Sequence, residues 1–153
     1  MKLKRIVAAV LAIIMLLALV ACGEEKEEEQ DESSSIQEVS ENQAKQLAET
    51  YIAEGSGGYF LLAEEQSRKG LTHSISVPRV GSVDISSDPV TKDGVEYYEV
   101  TVKGTSAAYD DYGQFIESFR FTHKVYVKTE VYGELTEITG INSAYDDIRC
   151  ITN

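Results

Sequence analysis

The chain has 153 residues, of which 26 are acidic and 14 basic, for a formal net charge of −12 at pH 7. That sign argues against nucleic acid as a partner and against adsorption to anionic lipid headgroups, and suits cations and basic partners. The length allows one domain, and two cysteines in the whole chain exclude a disulfide-rich scaffold.

The first element is an apolar leader. Lys2, Lys4 and Arg5 form a basic head, Ile6 to Leu19 is an uncharged apolar run, and Leu19-Val20-Ala21-Cys22 closes it. The stretch from Ile6 to Ala21 would measure about 24 Å as a helix, short for a hydrocarbon core of ~30 Å. Basic head, apolar middle and small-residue junction are the three parts of a cleavable export signal. Residues 1–22 resemble a bacterial lipoprotein signal peptide with its lipobox. The resemblance implies that the Cys22 thiol receives a diacylglyceryl group, with further acyl lipid, and becomes the new N-terminus. It also implies an extracytoplasmic site on the cell membrane, anchored by lipid rather than spanning. Two acyl chains suffice for stable anchoring where one does not.

Removing residues 1–21 takes three basic residues and no acidic one, so the remainder carries a charge of about −15. Lipidation of Cys22 would leave Cys150 alone, expected as a small buried residue beside Ile148 and Ile151. Gly23 to Ser35 contains seven acids, one Lys and no apolar side chain. Such a segment cannot bury enough surface to offset its ordering entropy, so residues 22–35 are predicted to be a disordered acidic tether. Fully extended, its 13 residues after Cys22 reach about 43 Å.

A single domain is expected over residues 36–153. Ser40 and Gln43 form a capping-box pair, and Ala44, Leu47, Ala48, Tyr51 and Ile52 make one apolar helical stripe that Gly55 terminates. Tyr59 to Lys69 fits a second short helix ending at Gly70. The periodicity then changes to two. Leu71–Val77 and Val80–Ser86 read as strands separated by Pro78, and Asp93-Gly94 as a hairpin turn between Val90 and Val95. Tyr98, Val100 and Val102 alternate with Glu99, Thr101 and Lys103. The strongest strand pattern runs from Phe115 to Val131, with Phe119, Phe121, His123, Val125 and Val127 on the apolar face. Gly133 turns the chain into Leu135–Ile141, and Ile148–Ile151 adds a last strand.

The expected fold class is therefore α+β: an N-terminal helix packed on a curved antiparallel meander of about four to six strands. Residues 36–153 look like the cystatin-like or NTF2-like group of folds. That resemblance is architectural and rests on no motif. Those folds host enzymes, inhibitors and binding modules, so they do not decide function.

Three arrangements carry candidate chemistry. His123, on the inward strand face, would line a pocket in an NTF2-like cone and could work as an acid or base beside an Asp, Glu or Tyr; its bland reading is a satisfied core residue. His73 is expected near a strand start and exposed. Ala108-Tyr109-Asp110-Asp111 recurs 36 residues later as Ala144-Tyr145-Asp146-Asp147, each copy preceded by a glycine, Gly104 or Gly140. Four carboxylates brought together would suit Ca²⁺; the bland reading is two acidic strand-end turns. Tyr97, Tyr126 and Tyr132 fall on polar-alternating faces and, if exposed, would offer contact area to a peptide, glycan or protein.

No nucleophile elbow, phosphate-cradling glycine loop or C-x-x-C pair is present in the sequence. The chain is also too short for a two-lobed solute-binding lipoprotein. The expectation is a membrane-anchored, non-enzymatic module binding an envelope protein, peptide or glycan. An NTF2-like enzyme centred on His123 and a Ca²⁺-dependent adhesion or sensing module are the alternatives.

Overall fold

The computed structural model describes residues 35–69 and 73–152. The leader, Cys22 and the acidic run up to Ser34 lie outside the described residues, as do Gly70, Leu71 and Thr72. Strand β1 (Ile36–Glu38) leads into helices α1 (Glu41–Ala53) and α2 (Gly57–Lys69). Strands β2 (Ser74–Ile75), β3 (Arg79–Ile85), β4 (Val90–Lys92), β5 (Val95–Tyr109), β6 (Phe115–Lys128) and β7 (Glu130–Tyr132) follow. A helical turn, α3 (Glu137–Gly140), and a 3₁₀ turn (Ser143–Tyr145) precede strand β8 (Asp147–Thr152). The class is α+β, and every pairing in the main six-stranded sheet is antiparallel.

Helix α1 begins where the capping pair places it. Ser40 Oγ accepts from the Gln43 amide, and the Gln43 side chain accepts from the Ser40 amide at 2.9 Å. Ala44, Ala48, Tyr51 and Ile52 are buried, so the apolar stripe faces the sheet as its spacing requires. The two helices approach closely: a methyl on Gly57 would lie 2.8 Å from both Tyr51 and Ile52 side-chain carbons.

The sheet is organised by one long hairpin. β5 and β6 pair from Tyr97↔Lys128 to Tyr109↔Phe115. Along the other edge of β5 lie β4, β3 and β2, end to end, while β8 pairs with the outer edge of β6. Gly104, in the middle of β5, is required by close approach. A Cβ there would collide with the Arg79 carbonyl oxygen and lie 2.7 Å from the Phe121 ring. Val100, Val102, Phe119, Phe121, Val125 and Val127 point to the helices and form the core with Leu61, Ile52 and Tyr51. No described helix lies over the opposite face.

Several expectations are corrected. The Phe115–Val131 strand breaks at Thr129, whose amide turns to the Glu96 carbonyl. Its continuation, β7, leaves the main sheet and pairs with β1, a strand the sequence pattern did not predict. Leu135–Ile141, given no element type by the pattern, contains the α3 turn, capped by Thr136 and Thr139. Of Leu71–Val77, only Ser74–Ile75 is a strand among the described residues. His73 is buried rather than exposed.

Candidate functional site

The first site is a polar cluster inside the core. Tyr51 comes from the last turns of α1, His123 from the centre of β6, and Asp146 from the link between the 3₁₀ turn and β8. His123 Nε2 lies 2.9 Å from Asp146 Oδ2, and the Tyr51 hydroxyl donates to the same oxygen at 3.1 Å. The Tyr51 and His123 rings meet edge to face with centroids 6.0 Å apart. Burial, reinforced by the negative charge of Asp146, holds the Tyr51 phenol above its usual ionisation range. It therefore stays protonated and donates.

The histidine has the carboxylate and tyrosine neighbours expected of an acid–base group. It does not have a pocket. The His123 side chain is 0% exposed and that of Asp146 3%. The far atoms of the pair, His123 Nδ1 and Asp146 Oδ1, are buried without a hydrogen-bond partner. The open cavities described on the surface are lined by other residues. The cluster can hold the 143–146 segment against α1 and β6; it cannot meet a substrate in this conformation.

The two Ala-Tyr-Asp-Asp copies are not brought together. Asp147 opposes Lys124 in β6, whereas Asp110 lies beyond the Phe115 end of that strand. Nine strand residues separate these points, about 30 Å. Asp110 closes its own hairpin turn, accepting from the amides of Tyr112 and Gln114 at 2.9 and 2.7 Å. Asp111 is exposed in that turn, and Asp147 lies 3.6 Å from Arg149 on the sheet surface. The four-carboxylate arrangement expected for Ca²⁺ is thus not formed. Among the described residues no cluster of three or more His, Cys, Asp or Glu side chains could hold a metal ion.

Of the three tyrosines that would offer contact area if exposed, Tyr97 and Tyr126 are buried and Tyr132 is exposed. The covering group is Tyr145. Its ring stacks edge-on against Tyr97 and Tyr126, its hydroxyl reaches Asp93, and Lys92 Nζ sits 4.9 Å from its ring centroid. Glu99 takes hydrogen bonds from Lys124 and the Tyr126 hydroxyl, both at 2.9 Å. The bond from Lys124 is the largest influence holding the Glu99 carboxyl below its ordinary value. Burial and the bond to Glu99 push the Tyr126 phenol up to about 12. Neighbouring residues Tyr145 and Asp146 therefore serve opposite faces of the sheet.

Other buried polar groups are structural. Glu65, fully buried on α2, is held by Arg68 through two contacts at 2.8 and 2.6 Å, and Arg68 also reaches Glu117 at 2.8 Å. Cys150 is buried as expected, and burial pushes its thiol up to about 12, far from a reactive thiolate.

The second site is the helix-free face. Thr122, Lys124, Asp147, Arg149 and Ile151 line an open groove of about 410 Å³ across β6 and β8. No sequence motif marks it, because its residues come from separate strands. Comparison of the chain with known proteins finds no matching family model, no matching curated protein and no matching solved structure.

Proposed function

We propose that the chain is a lipid-anchored module outside the cell membrane that binds an envelope component through the helix-free face of its sheet. Cys22 carries the lipid, residues 23–35 hold the domain off the bilayer, and the domain itself is non-enzymatic. The observation that carries the choice between module and enzyme is the closure of the core around His123. An acid–base residue without access to solvent has no substrate to act on, whereas the opposite face presents exposed side chains from four strands, Arg79, Lys103, Arg120 and Arg149. The anchoring part rests on the Leu19-Val20-Ala21-Cys22 motif.

Two measurements test the reading. Cys22→Ala is expected to move the protein out of the membrane fraction; retention there would overturn the anchor. A photo-crosslinking residue at Thr122 is expected to capture an envelope component in intact cells, while one at Gln46 on the exposed side of α1 is not. Equal capture at both positions, or none at Thr122, would overturn the binding face.

A further inference from the structure

We infer that the helix-free face binds a linear polymer carrying phosphate groups. This names the ligand class of the face described above and rests on the reading of the domain as a binding module. The strand register sets the outward residues in rows. One row across β3, β5, β6 and β8 is Arg79, Thr105, Arg120 and Ile151. The adjacent row is Ser82, Lys103, Thr122 and Arg149. These two rows hold four cations, three hydroxyls and no carboxylate, in a chain of net charge −12. Acids begin only in the third row, with Asp84 and Asp147 at its ends.

The four cations are available. All are exposed, and Arg79, Lys103 and Arg120 make no salt bridge among the described residues. Arg149 has only a surface contact with Asp147 at 3.6 Å, a kind of pair that is easily exchanged.

The shape and chemistry select the ligand. Three interstrand gaps make the strip about 14 Å long, and adjacent outward rows are about 7 Å apart. A narrow chain laid along it meets the four cations and the hydroxyls between them, with Asp147 at the Arg149 end. A bilayer would span the whole face and meet the acids of the third row directly, whereas a narrow chain keeps to the two cationic rows, with the third row about 7 Å to one side. Three of the four cations are arginines, whose planar fork matches phosphate oxygens. In both rows a Ser or Thr stands beside each cation: Thr105 between Arg79 and Arg120, Ser82 and Thr122 on either side of Lys103, and Thr122 beside Arg149. A phosphate group has oxygens enough to take the fork and the neighbouring hydroxyl together.

The test uses the full chain in non-ionic detergent and a fluorescently end-labelled linear inorganic polyphosphate as probe. Binding is expected, with log K falling against log salt at a slope of about −3 for four neutralised charges. Arg120→Ala is expected to reduce that slope by about one. Lys103→Glu combined with Arg120→Glu is expected to weaken binding more than about tenfold, while Lys45→Glu on α1 leaves it unchanged. Circular dichroism checks that the doubly substituted protein is folded. Absence of binding at low salt, or equal losses from the Lys45 and Lys103/Arg120 variants, overturns the inference. Equal affinity for polyglutamate overturns the preference for phosphate, and tighter binding to anionic phospholipid vesicles replaces the polymer with a bilayer. None of these failures touches the crosslinking result at Thr122, which tests the binding-module reading separately.

Discussion

Ala108-Tyr109-Asp110-Asp111 and Ala144-Tyr145-Asp146-Asp147 are the same four residues put to two different uses. In the first copy the aspartate serves its own turn, bonding amides two and four residues away. In the second it reaches His123, 23 residues back, and Tyr51, 95 residues back. The tyrosines differ in the same way. Tyr109 stacks on the nearby Phe115, whereas Tyr145 covers two tyrosines from other strands. A short motif in an acidic chain therefore carries no fixed role. What decides is whether the backbone delivers it to solvent or to an unpaired face of the sheet.

The sharpest way to break this comparison is to remove each aspartate. Asp146→Ala leaves a buried imidazole and a buried phenol without their acceptor and is expected to cost about 4 kcal/mol in urea unfolding. Asp110→Ala loses exposed turn bonds and is expected to cost no more than about 1 kcal/mol. Equal losses would show that Asp146 is not the keystone described. Replacing the pair together, Asp146→Leu with His123→Leu, is expected to recover part of the loss, because both buried polar partners then disappear.

The tyrosines come next in size. Tyr145→Ala is expected to cost about 2 kcal/mol through the lost aromatic contacts and the uncovering of Tyr97 and Tyr126, and Tyr109→Ala about half of that. Tryptic digestion offers an independent reading, since the Tyr145 variant should become susceptible at Lys124 or Lys128 first. In the first copy's turn, Gly113 has φ 75°, so Gly113→Ala is expected to cost about 1 kcal/mol by thermal unfolding.

The smallest effect is a pH dependence confined to the second copy's surroundings. An unfolded tyrosine ionises near 10.0, whereas the folded domain holds the Tyr126 proton to about 12. The folded state binds more proton between those values, so this contribution is intact below pH 10 and is lost as pH rises toward 12. Tyr126→Phe is expected to flatten that alkaline limb in urea titrations while costing under about 1 kcal/mol at pH 7. An unchanged limb would remove Tyr126 as its source.

Local signals were readable before any coordinates. Ser40 and Gln43 mark the start of α1 because a capping box is a contact between residues three apart. The Asp93-Gly94 turn and the alternation in β5 and β6 are equally local, and they give the α+β class. The β1–β7 pair was not legible. Its strands are three residues each, half of them polar, and depend on a partner nearly a hundred residues away. The burial of Tyr97 and Tyr126 was not legible, because alternation gives the face of a strand but not what later covers that face. His123 stood out by its residue type alone, yet its partners were hidden. Tyr51 looked like one more apolar contact in a helical stripe, and Asp146 looked like a surface acid. The cationic rows escaped for a related reason. Arg120 and Lys103 sit in ordinary polar-alternating patterns, and only register gathers them with Arg79 and Arg149.

The β1–β7 pair also fixes how the domain would answer to force. Any load carried along the chain from the residues before Ser35 reaches β1 first. That strand is held by its three-residue pairing with β7, by Gly133 N–H to Ser35 O at 3.2 Å and by Val39 N–H to Thr129 O at 2.8 Å. Behind it stands the β5–β6 hairpin, whose first strand alone has 15 residues. Tension on the chain at Ser35 would thus peel the β1–β7 pairing before the longer β5–β6 hairpin. The six-stranded sheet, with its outer face, would stay intact while that short seam opens.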